Sequence, residues 1–198
     1  MASYDYLTVR LERGPAARAR FVEAAKAAGL GAPAGLFAAQ LGWEAAQVAL
    51  LVRRPDGQPR IGPSLAALAA APEVKSAAFQ VLTPTVRPRE GDQLAAGGVY
   101  VHRWFEVAPR DVETFVALSA QAWPDFEARF EAHIFGLFEL EASADPAASR
   151  RLLLVTRYAS HGVWEDSRDP TTEAMQTFAR RAQLTLSTQA ASTLLIPL

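Results

Sequence analysis

The sequence predicts an α+β chain of two tandem βαββαβ units whose sheets close into one intramolecular barrel. Three observations carry this. Similar words recur in the same order in both halves of the chain. Each half reads strand, helix, strand, strand, helix, strand. The third strand of each half, Val48-Ala49-Leu50-Leu51-Val52 and Leu152-Leu153-Leu154-Val155, is apolar on both faces. A lone βαββαβ sheet of the ferredoxin-like kind covers one face with helices and leaves the other wet, so its strands should alternate. These strands need burial on both sides. The sheet of the other half has the same need.

The repeat is read from four matches. Val9-Arg10-Leu11-Glu12 with Pro15 and Phe21 answers His102-Arg103-Trp104-Phe105-Glu106 with Pro109 and Phe115. Gly35-Leu36-Phe37 answers Gly136-Leu137-Phe138. The third strands end on Arg53 and Arg157, and the closing runs Phe79 to Val86 and Thr193 to Leu198 also correspond. Between the halves lies the polar stretch Arg87-Pro88-Arg89-Glu90-Gly91-Asp92-Gln93, a linker signal. The expected organisation is a first repeat over 1–88, a linker over 89–97 and a second repeat over 98–198.

In the second half Val99 to Val107 forms the first strand. Pro109 suits a first helical turn, with Asp111 and Glu113 favourable at the positive helix end. Val112, Phe115, Ser119, Ala122, Phe126 and Phe130 make the helix's buried stripe. Pro124 lacks an amide hydrogen and is expected to break or kink this helix, placing Trp123 at a bend. Ala132 to Leu140 and Arg150 to Ser160 are the middle strands, joined by a loop with Asp145-Pro146. Asp169-Pro170 has the form of a cap and first-turn proline before the last helix, whose stripe is Met175, Phe178, Ala179, Ala182 and Leu186. Ser192 to Leu198 closes the unit.

Composition excludes several functions. The 198 residues carry 20 basic and 21 acidic side chains, without the electrostatic footprint of a nucleic-acid binder. The absence of cysteine removes disulfides, thiolate nucleophiles and Cys-ligated metals. No run approaches a membrane span, and Met1 to Tyr6 lacks the basic start and apolar stretch of a signal peptide, so a soluble cytoplasmic protein is expected, with no membrane partner. Oligomeric state is open between monomer and homodimer, with a lean to the homodimer.

The second half resembles the NIPSNAP-like branch of the dimeric α/β-barrel superfamily. The resemblance rests on Tyr100-Val101-His102-Arg103-Trp104-Phe105-Glu106, Ala122-Trp123-Pro124-Asp125-Phe126-Glu127, Gly136-Leu137-Phe138, and Thr156-Arg157-Tyr158-Ala159-Ser160 running on to Trp164-Glu165-Asp166-Ser167-Arg168. It covers most of Gly98 to Leu198 and reaches the first half only through the repeat. The superfamily implies cofactor-independent monooxygenases, haem-handling proteins, isomerases and proteins without assigned activity, and a fold cannot choose among them.

The candidate ligand site is Arg103, Trp104, Trp123, Arg157, Tyr158, Trp164 and Arg168. Arg103 and Arg157 lie on neighbouring strands, where two guanidinium groups would converge on a carboxylate, phosphate or enolate. Arg10 and Arg53 repeat them in the first half. Pairing of each arginine with a helix-borne carboxylate, Glu127 or Glu131, is favoured over a ligand, because a charge so placed needs a partner. Residue alternation leaves open whether Arg103 and Arg157 face the barrel or the helices. The aromatics suit a flat apolar ligand with one polar head, although simple core packing is the favoured reading. Trp164 and Arg168 form a possible cation–π pair.

His102, His133 and His161 lack metal-ligand spacing, two on strands and one in a loop, and no helix-borne histidine is expected for haem; neither cofactor nor metal is expected. Gly29-Leu30-Gly31 follows a helix and is no dinucleotide loop, and Ser160-His161 is no nucleophile–base pair. Three functions follow: a small-molecule binder, favoured; an oxygenase or isomerase acting on an aromatic or enolisable substrate, with His102 or Tyr158 moving a proton; and a structural or partner-binding module.

Overall fold

The computed structural model describes residues 3–30, 34–54, 62–143, 145 and 147–198, so Met1, Ala2, Gly31 and Pro146 lie outside the described residues. The first half runs β1 (Ser3–Leu11), α1 (Pro15–Ala27), β2 (Ala34–Leu41), β3 (Gln47–Arg54), α2 (Pro63–Ala69) and β4 (Val74–Pro84). The second runs β5 (Val99–Val107), a 3-10 turn at Pro109–Asp111, α3 (Val112–Arg129), β6 (Ala132–Leu140), β7 (Arg150–Tyr158), α4 (His161–Asp166), α5 (Glu173–Ala182) and β8 (Thr185–Ile196). Every strand pair is antiparallel, and the strands form a closed barrel in the order β1-β3-β2-β8-β5-β7-β6-β4.

Each half supplies four consecutive strands of the ring, and the two sheets join edge to edge through β2–β8 and β4–β6. The seams are short, β4 meeting β6 at Leu82, Thr83 and Pro84 and β8 meeting β2 from Ser192 to Ile196. The doubly apolar third strands are accounted for. Ala49, Leu51, Leu153 and Val155 point into the barrel beside Tyr4, Phe37, Tyr100 and Phe138. Val48, Leu50 and Val52 face α1 and α2, whereas Leu152 and Leu154 face α3. The barrel interior is therefore a core filled by side chains from both halves.

Register defines which residues of the two halves correspond. Tyr4 faces Arg53 across β1–β3 as Tyr100 faces Arg157 across β5–β7. The pairing of β1 with β4 slips between Arg10 and Leu11, and that of β5 with β8 slips between Glu106 and Val107. Arg10 thus corresponds to Glu106. Counting three residues on from each tyrosine, Arg103 corresponds to Leu7. The word match that paired Arg10 with Arg103 is corrected by this register; the match of Arg53 with Arg157 fits it.

Helix α3 runs from Val112 to Arg129 with Pro124 inside it, so of the expected break or kink the break does not occur. Its buried residues Phe115, Ser119, Ala122, Trp123 and Phe126 hold the helix to the sheet along its length, and that packing outweighs one lost backbone hydrogen bond. Helix α5 starts later than Asp169-Pro170 suggested. Thr172 is its cap and accepts from the Met175 amide, while Asp169 folds back on the Thr171 amide and hydroxyl. Leu186 belongs to β8 and is exposed. His161 opens α4 instead of lying in a loop, with Ser160 as the cap, accepting from the Val163 amide.

The segment between β4 and β5 crosses one barrel mouth. Gly35 and Gly136, equivalent residues of β2 and β6, leave room where a Cβ would strike Leu94 and Pro88 respectively. Arg53 reaches Glu90 at 3.7 Å. Arg157 donates to the carbonyls of Gly97 and Ala96 at 3.0 and 3.4 Å.

Candidate functional site

Alternation along β5 assigns every side chain to a face. Val99, Val101, Phe105 and Val107 pack in the helix-side core, and Tyr100 packs inside the barrel. Arg103 therefore faces the helices and Trp104 the barrel. On β7, Leu152, Leu154 and Tyr158 lie on the helix side, Leu153 and Val155 inside. Arg157 follows the inner set. Arg103 and Arg157, whose convergence on a ligand was the less favoured of two readings, stand on opposite faces of the sheet. Arg157 serves the segment over the barrel mouth, as its counterpart Arg53 does.

Trp104 packs with Trp43 and His102, at ring distances of 5.6 and 6.1 Å, toward the other end of the barrel. His102 is fully buried, its Nδ1 2.8 Å from the Tyr6 hydroxyl, and burial pushes it down to about 3. It is a neutral core histidine, separated by the sheet from Arg103. His133 contacts Glu127 at 3.1 Å, and His161 contacts the Ser192 hydroxyl. Among the described residues no group of three potential metal ligands forms.

The remaining candidates gather under α3 and α5. A cavity of about 60 Å³ lies between sheet and helices, lined by Arg103, Trp123, Tyr158, Ser167, Arg168 and Arg181, with Leu154, Thr156, Met175 and Phe178 among its other walls. Trp164 borders this region, its ring 6.4 Å from that of Tyr158 and 5.6 Å from the Arg168 guanidinium. Arg103, Trp123, Tyr158 and Arg168 are thus brought together, and Trp104 and Arg157 are not. A groove of about 550 Å³ adjoins the cavity and shares Arg103, Arg168, Met175, Phe178 and Arg181 with it; Phe105, Ala179, Ala182 and Leu186 extend its apolar wall.

The electrostatics are lopsided. Three guanidinium groups line the cavity and no carboxylate does. Arg181 is 7% exposed and lies over Phe105, Phe115 and Phe178 at 4.5 to 5.1 Å. Its Nη1 donates to the Ser119 hydroxyl at 3.2 Å, while its Nε has no partner. Burial, then the charges of Arg103 and Arg168, push it down to about 9, so it remains charged at neutral pH. Burial and Arg168 also lower Arg103, for which no hydrogen bond or ion pair is found among the described residues. The expected carboxylate partner is engaged elsewhere: Glu127 accepts from Arg87 at 2.7 Å and from the Ile134 amide at 2.8 Å.

Two further donors are unspent. The indole nitrogens of Trp123 and Trp164 are buried without an acceptor. Burial raises Tyr158, so its phenol stays protonated at neutral pH, whereas Arg103 and Arg168 pull the other way. A site with many donors and no negative charge is complementary to an oxyanion. Arg181 escaped sequence reasoning because an arginine on an amphipathic helix reads as solvent-facing; its spacing from Ala174 and Thr177, both buried, was the available signal.

No family model matches the chain, and no curated protein does. Solved structures match along its whole length. A candidate monooxygenase from Lactobacillus acidophilus superposes with a TM-score of 0.63 at 10% identity, covering 98% of this chain and 93% of its own. An anthrone oxidase-like protein gives 0.60 at 12%, covering 98% and 92%. A candidate chlorite dismutase gives 0.60 at 8%, covering 100% and 96%. At such identities the likeness establishes the fold. The chain has the dimeric α/β-barrel fold, with both ferredoxin-like units in one polypeptide.

Proposed function

We propose that the second half binds a small organic anion, head inward, between its sheet and α3 and α5. The observation that carries this is the cluster of Arg103, Arg168 and Arg181 on one cavity with no carboxylate among its lining residues. Burying a charge without a partner is costly, and a bound anion supplies the missing partner. The apolar groove beside it suits the body of the molecule. The words quoted for the second half support placing the chain near the NIPSNAP-like branch of this fold.

A second reading is favoured by Tyr158. A protonated phenol beside fixed guanidinium groups is suited to stabilising and protonating an enolate or phenolate oxygen, as a cofactor-independent oxygenase or isomerase requires. The names of two structural neighbours, a candidate monooxygenase and an anthrone oxidase-like protein, point the same way. His102 is withdrawn from that role by its place inside the barrel.

Thermal unfolding of the wild type with benzoate or phenyl phosphate, beside Arg103→Ala, tests the binding reading. At least one of these anions should raise the melting temperature of the wild type and fail to raise that of the variant, whose own melting temperature stays close to the wild type's. A large loss in ligand-free Arg103→Ala would show that the arginine is architectural.

A further inference from the structure

We propose that this site selects a dianionic phosphoryl headgroup, that of an organic phosphate monoester whose apolar body lies in the groove beside α5. The inference rests on the anion-binding reading and adds the charge and shape of the head.

Three features of the pocket point to this class. The first is charge. With Arg103, Arg168 and Arg181 on one wall system, a monoanion leaves two positive charges in excess at the site, whereas a dianion leaves one. The second is donor number and arrangement. A carboxylate is planar and is met by one bidentate guanidinium, while a phosphoryl group presents three strong acceptor oxygens in a tripod. The donors come from separate elements: Arg103 from β5, Arg181 from the end of α5, Arg168 from the turn after α4, and the unpartnered Trp123 indole from α3. The third is size. A cavity of about 60 Å³ suits a compact oxyanion head better than a ring. The body must then leave through the adjoining groove, whose wall of Phe105, Met175, Phe178 and Leu186 is apolar.

Burial grades the three cations in a way that serves entry. Arg168 is exposed, Arg103 half-buried and Arg181 buried, so an anion meets successively less hydrated donors as it moves inward. Each step strengthens the interaction, because the competing water is progressively removed.

Titration calorimetry of the wild type with phenyl phosphate, phenyl sulfate, benzoate and inorganic phosphate tests the inference. Phenyl sulfate matches the tetrahedral shape with a single charge, and inorganic phosphate lacks the body. Phenyl phosphate should bind at least tenfold more tightly than any of the other three. Arg103→Met and Arg181→Met should each weaken it at least tenfold and erase its lead over phenyl sulfate. Methionine keeps an apolar stem in each position, and Arg103→Lys, retaining charge without the fork, should fall between wild type and Arg103→Met. Phenyl sulfate or benzoate binding as tightly as phenyl phosphate would overturn the dianion while leaving an anion site in place. Inorganic phosphate matching phenyl phosphate would overturn the role of the groove. Absence of binding by all four, or binding indifferent to both methionine variants, would overturn the site itself.

Discussion

The two halves share one backbone plan and differ in what they put between sheet and helices. In the first half the apolar core of that layer is Leu7, Val9, Leu36, Leu50, Val52, Phe21, Leu65 and Leu68. Among the described residues its buried Asp5 stands 3.5 Å from Arg54, so each charge there faces an opposite one. In the second half Arg103 replaces Leu7, Thr156 replaces Val52, and Tyr158 stands where the first half has Arg54, by strand register. Arg181 adds another cation with no carboxylate in contact. Of the two copies of the fold, one thus sets a buried arginine against a carboxylate, and the other gathers arginines on a cavity with no carboxylate lining it. That uncompensated charge is what supports the proposed ligand site in the second layer.

Placing the second half's charge into the first should break the contrast most severely. Leu7 is fully buried among apolar side chains, so Leu7→Arg should cost about 3–5 kcal/mol in urea unfolding, the scale of an uncompensated buried charge. A cost below about 1 kcal/mol would mean that this layer tolerates arginine without a ligand, and the argument from Arg103 would weaken with it.

Inside the barrel the halves contribute Tyr6 and His102, equivalent positions that hydrogen-bond each other. His102 is held near 3 by burial, far below the ordinary histidine value, so the unfolded chain takes up a proton that the folded one refuses. Stability is full above about pH 6.5 and falls as pH drops from there toward 3, by at most about 1.4 kcal/mol per pH unit. His102→Gln should flatten that part of the pH–stability curve. An unchanged slope would place the responsible group elsewhere.

At the barrel mouth the halves behave alike, with Gly35 under Leu94 and Gly136 under Pro88. Gly35→Ala and Gly136→Ala should each cost about 1–3 kcal/mol through overpacking. One silent and one costly substitution would show that the crossing segment is anchored on a single side.

Much of the architecture was legible because it follows from burial alone. A strand such as Leu152-Leu153-Leu154-Val155 has no wet face, and only the sister sheet could cover the second side. The words shared by the halves were equally informative, except where similarity of letters misled: Arg10 looked like Arg103, but the ladder aligns it with Glu106. Within the site, Arg103, Trp123, Tyr158 and Arg168 were nameable from the density of aromatic and basic residues. Arg157 and Trp104 were misplaced because a strand's side chains alternate, and adjacent residues with similar chemistry end on opposite faces. Pro124 looked like a break because propensity is local, whereas Phe115, Trp123 and Phe126 fix α3 through tertiary packing. Arg181 was invisible for a related reason. Its burial depends on Phe105, Phe115 and Phe178, which come from three separate elements.

The most direct measurement is the melting temperature of the double variant Arg103→Met/Arg181→Met against wild type, both in a dilute amine buffer without oxyanions. If these arginines are held for a ligand, removing a buried and a half-buried charge that repel each other should raise the melting temperature by several degrees, the scale of about 1–4 kcal/mol. A drop of similar size would show that the guanidinium groups hold the layer together, and the account of an anion site would fall.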